Sequence, residues 1–289
     1  MGTDNGILVY NYRADRYEQP ETDFPTDVRT MALQGDTLWL GALNGLYTYQ
    51  LQSRKLTSFD TRRNGLPHNT IYSIIRTRDN QIYVGTYNGL CRYIPSNGKF
   101  EGIPLPVHSS QSNLFVNSLL EDTVRQCIWI GTEGYLFQYF PSTGQMKQTE
   151  AFHNNSIKSL ALDGNGDLLA GTDNGLYVYH NDTTPLQHII HDSRNIQSLT
   201  NNIIWNIFAD QEHNIWLGTD YGISLSRYNS ALQFIPISQI TGTGDGNQFY
   251  SLFRDSKGFY WFGGTNGLIR FTDPAGERHD TIWYRMGDK

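Results

Sequence analysis

Hydrophobic and polar positions alternate along this chain in short runs, and the runs return in the same order from one end to the other. Within residues 69–96, TIYSII alternates and is rich in β-branched and aromatic residues. TRDNQ then supplies a turn, IYVGT a second strand, YNG another turn and LCRYI a third strand. Looser turns, PSNGK at residues 95–99 and PSTGQ at 141–145, lead into a fourth strand. A period of two, broken by turns every few residues, predicts antiparallel strands that pair with their chain neighbours. Each unit therefore reads as a four-stranded meander.

The most regular part of the unit is a glycine-rich phrase. It reads GTDNGILVY at Gly2, GALNGLYTY at Gly41, GTYNGLCRY at Gly85, GTEGYLFQY at Gly131, GTDNGLYVY at Gly171, GTDYGISLS at Gly218 and GGTNGLIRF at Gly263. The intervals are 39, 44, 46, 40, 47 and 45 residues. Units of that length cannot bury their own apolar faces and must stack in a propeller or solenoid. Four-stranded meanders select the propeller, an all-β fold in which each meander is a blade. The expectation is six complete blades plus half of another, of the seven-bladed type, in a single domain over residues 1–289. The first unit lacks its two inner strands and the last ends soon after an outer strand near residues 281–284, as in a fragment of a longer chain. The unpaired edge of that first half-blade predicts a gap or irregular closure, or contact between copies such as a homodimer.

Asparagine-glycine pairs at Asn5-Gly6, Asn44-Gly45, Asn88-Gly89, Asn174-Gly175 and Asn266-Gly267 predict type I′ hairpin turns. The glycine ending each second strand leaves room for the next blade. Trp39, Tyr83, Trp129, Trp216 and Trp261 stand two residues before it and share its face, so they are expected to fill the core between blades; a sugar-stacking platform is the alternative.

Composition agrees with many short strands: 13% aromatic residues, 17% charged ones and 28 glycines. Lys and Arg number 22 against 28 Asp and Glu, a net charge of -6 with the cations scattered, which argues against nucleic acid or an anionic membrane as partner. Cys91 and Cys127 form no CxxC pair and read as buried free thiols. No apolar run approaches the roughly 18 residues of a membrane span, so no membrane contact is expected from this segment. Met1 leads straight into a repeat, which fits a cytosolic protein or, more readily, one whose targeting segment has been cut away.

An alternating apolar strand, an acidic turn, [IL]W[ILV]GT, an asparagine-glycine turn and GLxxY together resemble the two-component regulator propeller repeat. NIIWNIFADQEHNIWLGTDYGISLSRY at residues 202–228 and NQFYSLFRDSKGFYWFGGTNGLIRF at 247–271 carry the likeness best. The resemblance implies the periplasmic sensor region of a hybrid two-component system, ahead of an immunoglobulin-like connector, a membrane helix and a histidine kinase. It implies no catalysis and no cofactor in this chain, with the other domains of the parent sensor as partners. Phosphoacceptor, ATP-binding and receiver motifs are not in this sequence.

In a propeller the innermost strands line the channel, and here they share the order apolar, variable, small polar, apolar. The variable place holds Arg29, Tyr72, Asn117, Lys158, Trp205 and Tyr250. Aromatic faces beside planar polar and cationic groups suit a carbohydrate, and the cations one bearing sulfate or carboxylate. Long side chains extending into a wet channel are the plainer reading. Asn69, Asn113, Asn155, Asn202 and Asn247 stand where the loops meet these strands and are expected to close turns on their own backbone. The nearby His68, His108, His153 and His191 have uneven offsets that speak against a metal or acid-base site. The run 163–167, DGNGD, imitates a calcium loop but has leucine at the sixth place and asparagine at the twelfth, and reads as a tight turn.

Three functions compete. A ligand-sensing ectodomain for an oligosaccharide leads. A propeller lyase or glycan-degrading enzyme would use a loop histidine as base with Arg29 or Lys158 as its partner, on the architecture that streptogramin lyases also use. A plain interaction scaffold is the third, and fold alone does not separate them.

Overall fold

The structure, a computed structural model, describes residues 2–3, 6–14, 16–18, 20, 23–106, 114–149, 155–180, 187–228, 234–236, 248–271 and 282–285. The chain divides into two compact units, Met1–Glu150 and Ala151–Lys289. The first holds three four-stranded sheets. Sheet 1 comprises Val28–Gln34, Thr37–Ala42, Gly45–Gln50 and Leu56–Phe59; sheet 2 comprises Ile71–Arg76, Ile82–Thr86, Gly89–Ile94 and Lys99–Ile103; sheet 3 comprises Val116–Asp122, Cys127–Thr132, Leu136–Phe140 and Gln145–Thr149. The second unit holds three more. Sheet 4 comprises Ile157–Leu162, Leu168–Thr172, Gly175–Tyr179 and Gln187–Ile189; sheet 5 comprises Ile204–Ala209, Ile215–Thr219, Gly222–Ser226 and Phe234–Pro236; sheet 6 comprises Phe249–Arg254, Tyr260–Gly264, Gly267–Phe271 and Ile282–Arg285. Every sheet keeps chain order and is antiparallel throughout, the blade meander that the alternation predicts. Ahead of sheet 1, Gly2–Thr3 pairs with Gly6–Ile7 and Val9–Asn11 with Arg16–Glu18, the outer half of a blade. Among the described residues the helix content is the single turn Thr61–Asn64, and no helix is long and apolar enough to cross a membrane.

Adjacent sheets within each unit are glued by apolar residues on their facing sides. Trp39, Tyr83, Trp129, Trp216 and Trp261 are all at most 2% exposed, which makes them core and removes them as a sugar platform. Trp39 of sheet 1 packs with Ile71, Ile74 and Phe100 of sheet 2, and Trp216 of sheet 5 with Phe249, Tyr260 and Phe262 of sheet 6. The strand-end glycines behave as expected. A Cβ on Gly41 would stand 2.6 Å from a methyl of Ile71, one on Gly171 2.6 Å from Ile204, and one on Gly218 2.5 Å from the Phe249 carbonyl. Within each unit, the first apolar residue of an inner strand thus plugs the gap left by the preceding sheet's glycine, as Ile71, Val116, Ile204 and Phe249 do.

Two structural devices were not visible in the sequence. An acidic residue at the end of the inner strand accepts the indole N–H of its own sheet's tryptophan: Asp122 from Trp129 at 3.1 Å, Asp210 from Trp216 at 2.9 Å and Asp255 from Trp261 at 2.7 Å. The small polar residue of the inner strand ties neighbouring inner strands together. Thr30 Oγ1 accepts from the Ile74 N–H, Ser73 Oγ donates to the Val116 carbonyl, and Ser159 Oγ accepts from the Ile207 N–H.

The hairpin turns differ from expectation. In the Asn88-Gly89 turn, Thr86 pairs with Gly89, so Tyr87 and Asn88 are the central residues, and Asn88 keeps a negative φ. The type I′ assignment is therefore wrong. The turn is closed by the threonine: Thr86 Oγ1 accepts from the Asn88 N–H and donates to the Gly89 carbonyl, and Thr172 repeats both bonds around Asn174 and Gly175. Gly89, at φ 103°, and Gly175, at φ 96°, supply the left-handed step that restarts the strand. Asn5 lies outside the described residues.

Candidate functional site

The six variable residues share a backbone feature. In each inner strand the plug residue pairs with the residue at the end of the second strand, and the small polar residue pairs with the glycine before it. The residue between them has no partner: Arg29, Tyr72, Asn117, Lys158, Trp205 and Tyr250 are the extra residues of six β-bulges. A bulge frees one residue from the pleat and re-aims its side chain, and bulges concentrate beside functional sites. The sequence singled out these positions by their variability; their backbone irregularity is the structural counterpart.

In the second unit three of them come together. The Lys158 ammonium lies 4.5 Å above the centroid of the Trp205 ring, within cation–π range. Trp205 meets Tyr250 edge to face, their centroids 5.1 Å apart. The Trp205 indole N–H donates to Asp220 Oδ1 at 3.0 Å, and the Gln248 amide donates to the same oxygen. The Tyr250 hydroxyl in turn donates to Gln248 Oε1. Tyr250 is 44% exposed while Lys158 and Trp205 are half-buried, so the cluster is ordered by its own contacts yet open to a ligand.

In the first unit Arg29 is exposed, and Tyr72 and Asn117 are half-buried. Tyr72 rests against Phe115, centroids 5.9 Å apart, and Phe115 against Tyr87 at 4.0 Å. Burial pushes the Tyr72 phenol above its ordinary pKa, Tyr87 and Glu133 add to the rise, and the nearby Arg29 charge opposes it. The Asn117 amide donates to Glu133 Oε1 at 3.2 Å, so part of its hydrogen-bonding capacity is already used. Asp220, Gln248, Glu133, Phe115 and Tyr87 were missed as site residues. Three of them, Tyr87, Glu133 and Asp220, hold the most changeable place of the GTxNG phrase, a signal available in the sequence.

The loop residues are mainly structural. Asn69 Oδ1 accepts from the Thr61 N–H and Asn202 Oδ1 from the His191 N–H, so these asparagines staple the preceding loop instead of closing their own turn, which corrects that expectation. His68 Nδ1 accepts from the Thr70 N–H, and His191 Nδ1 sits 2.5 Å from the Leu199 carbonyl. Asn113, Asn247, His108 and His153 lie outside the described residues. Asp163 accepts from the N–H groups of Asn165 and Asp167, the tight turn expected of that run. Cys91 and Cys127 are buried free thiols.

A cleft of about 740 Å³ opens at the other end of sheets 2 and 3, lined by Arg78, Tyr83, Arg92, Glu121 and Cys127 among others. Several of its polar groups already have partners: Glu121 accepts from the Arg78 backbone N–H, Asp122 from Arg125, and Arg92 pairs with Glu101. Convergent side chains with open bonding capacity are at the bulges, and the bulge row is the stronger candidate.

The sheets, their glycine plugs and the bulge row define a propeller-repeat protein, and comparison gives the class. Residues 65–88, 198–221 and 243–266 match the two component regulator propeller model, so the chain carries two-component regulator propeller repeats. Among solved structures it is similar to the extracellular domain assigned to BT4673 of B. thetaiotaomicron, described in one structure as a one component system and in another as a hybrid two component system. Identities are 97% and 98%, with a TM-score of 0.78 in both. This chain is covered completely but spans 39% of those chains. It is also 29% identical over 310 residues to histidine kinase P4 of Formosa agariphila, covering 94% of this chain and 21% of that protein. Virginiamycin B lyase of Staphylococcus aureus shares the fold at 12% identity and a TM-score of 0.68, over 91% of this chain and 85% of the lyase.

Proposed function

We propose that this chain is the ligand-sensing part of the periplasmic region of a hybrid two-component histidine kinase, and that it binds an oligosaccharide without converting it. The blades would belong to a propeller of the seven-bladed type, with kinase activity residing in other domains of the parent protein. The observation that carries the reading is the convergence of Lys158, Trp205 and Tyr250, each released from its strand by a bulge. Aromatic rings flanked by a cation, a carboxylate and an amide suit the apolar face and hydroxyl rim of a sugar. The similarity to extracellular sensor domains supports the setting. Against a lyase, His68 and His191 both engage the main chain through Nδ1, an arrangement that favours loop ordering over proton abstraction beside Arg29 or Lys158.

The test is a glycan-array screen of the purified chain, followed by calorimetric titration of the best saccharide and analysis of the recovered sugar. Trp205→Ala and Tyr250→Ala should each weaken binding by about 1 to 3 kcal/mol, roughly one to two factors of ten, with the fold intact by circular dichroism. The saccharide should be recovered unchanged. Unaltered affinity in both variants would move the site elsewhere, and turnover of the sugar would make the chain an enzyme.

A further inference from the structure

The bulged residues have a second row beside them. The hairpin joining the second and third strands turns at the same end of each sheet, and the residue after the strand-end threonine or its substitute is Leu43, Tyr87, Glu133, Asp173, Asp220 or Thr265 in successive sheets. The rest of the GTxNG phrase is nearly fixed by the turn: its threonine closes the hairpin and its last glycine restarts the strand. This one place is not constrained by that geometry, and it varies in size, polarity and charge.

Contacts between the two places recur within each unit. In the second, Asp220 Oδ1 accepts from Trp205 at 3.0 Å and from the Gln248 amide, while the Thr265 hydroxyl reaches Gln248 Oε1 at 3.5 Å. In the first, Asn117 donates to Glu133, and Tyr87 buttresses the Phe115 that supports Tyr72.

We infer that this hairpin position forms a second recognition row, and that Asp220 is its specificity-determining residue, selecting an uncharged polyhydroxylated ring over an anionic one. The inference rests on the saccharide reading above and deepens it. Asp220 uses Oδ1 for both of its donors, which orients the carboxylate and leaves Oδ2 without a partner among the described residues. A ring stacked at Trp205 and Tyr250 would present a hydroxyl to that oxygen. A ligand carboxylate or sulfate at the same place would face a like charge. The Lys158 ammonium, over the face of the same indole, attracts such a group and so opposes the Asp220 carboxylate. Asp220→Asn removes one side of that opposition and so isolates the share of the specificity that the carboxylate sets.

The experiment titrates the whole chain and its variants with matched neutral and uronate tetrasaccharides of the gluco, galacto and manno series. The unmodified protein should bind a neutral member at least about tenfold more tightly than its uronate. Asp220→Asn keeps an acceptor for the Trp205 N–H but removes the charge, and should shrink that ratio by about fivefold or more without changing the melting temperature. Trp205→Ala should lower affinity for both sugars. A uronate preference in the unmodified protein, or an unchanged ratio in Asp220→Asn while Trp205→Ala still loses binding, overturns the role of Asp220 and leaves the saccharide site standing. Wild-type binding of every sugar by Trp205→Ala removes the site, and this inference with it.

Discussion

Adding one methyl group at Gly218 tests how the sheets pack. The glycine is the last residue but one of the second strand of sheet 5, and a Cβ built on it would stand 2.5 Å from the carbonyl oxygen of Phe249 and 3.2 Å from that residue's own Cβ. Phe249 is fully buried and pairs with Gly264 in sheet 6, so its backbone has no side-chain freedom with which to yield. Sheets 5 and 6 must then separate or the inner strand must shift. Overpacking of this kind typically costs about 1–3 kcal/mol, and a backbone obstacle places Gly218→Ala near the upper end. At about 2–4 °C per kcal/mol, the melting temperature should fall by roughly 6–12 °C. Gly102→Ala is the matched control. Gly102 lies in an outer strand with nothing within 4 Å of its notional Cβ, and its alanine variant should be neutral or slightly stabilising, because alanine restricts the unfolded chain. Thermal unfolding by circular dichroism reads both. If Gly218→Ala melted with Gly102→Ala and the unmodified protein, the glycine would not be there to admit the next sheet.

The strands were legible because alternation and turn residues are local, as residues 69–96 show. The core tryptophans were legible for the same reason: their spacing from the strand-end glycine fixes their face. What escaped the sequence depends on which residue sits opposite which. A bulge at Trp205 exists only because Ile204 pairs with Thr219 and Asn206 with Gly218, a register that no single strand encodes. The bond from Trp216 to Asp210 likewise needs two strands laid side by side, so the acidic turn showed itself as composition and not as a latch. The asparagine-glycine turns misled because the threonine hydroxyl takes over their closure. Asp220 was missed although its place varies as widely as the bulge positions do. It lies in the hairpin that folds back beside the inner strand, 15 residues along the chain from Trp205, and only the strand register brings the two together.

Three further outcomes are expected. Asp210 is 5% exposed and accepts from Trp216 Nε1, the Tyr260 hydroxyl and the Asn214 amide, so Asp210→Ala leaves buried donors unpaired and should cost about 3 kcal/mol in a urea titration. Burial pushes the Cys91 and Cys127 thiols up, so a thiol reagent at pH 8 should find neither in the folded protein and both in urea. The last concerns acid. Burial alone would raise the Asp122 carboxyl, but the Arg125 N–H and guanidinium and the Trp129 indole together outweigh it and hold the group below its usual range. A carboxyl depressed in the folded state contributes stability above its unfolded pKa of about 3.9 and loses it as pH falls through the lower folded value. Melting curves from pH 7 to pH 2 should show the unmodified protein weakening below about pH 4. Asp122→Asn should start lower at pH 7, having lost the Arg125 ion pair, and fall less steeply in that acid window. Parallel curves for the two proteins would mean that Asp122 is not among the carboxyls that set the acid limit, and that the latch to Trp129 works as well without its charge.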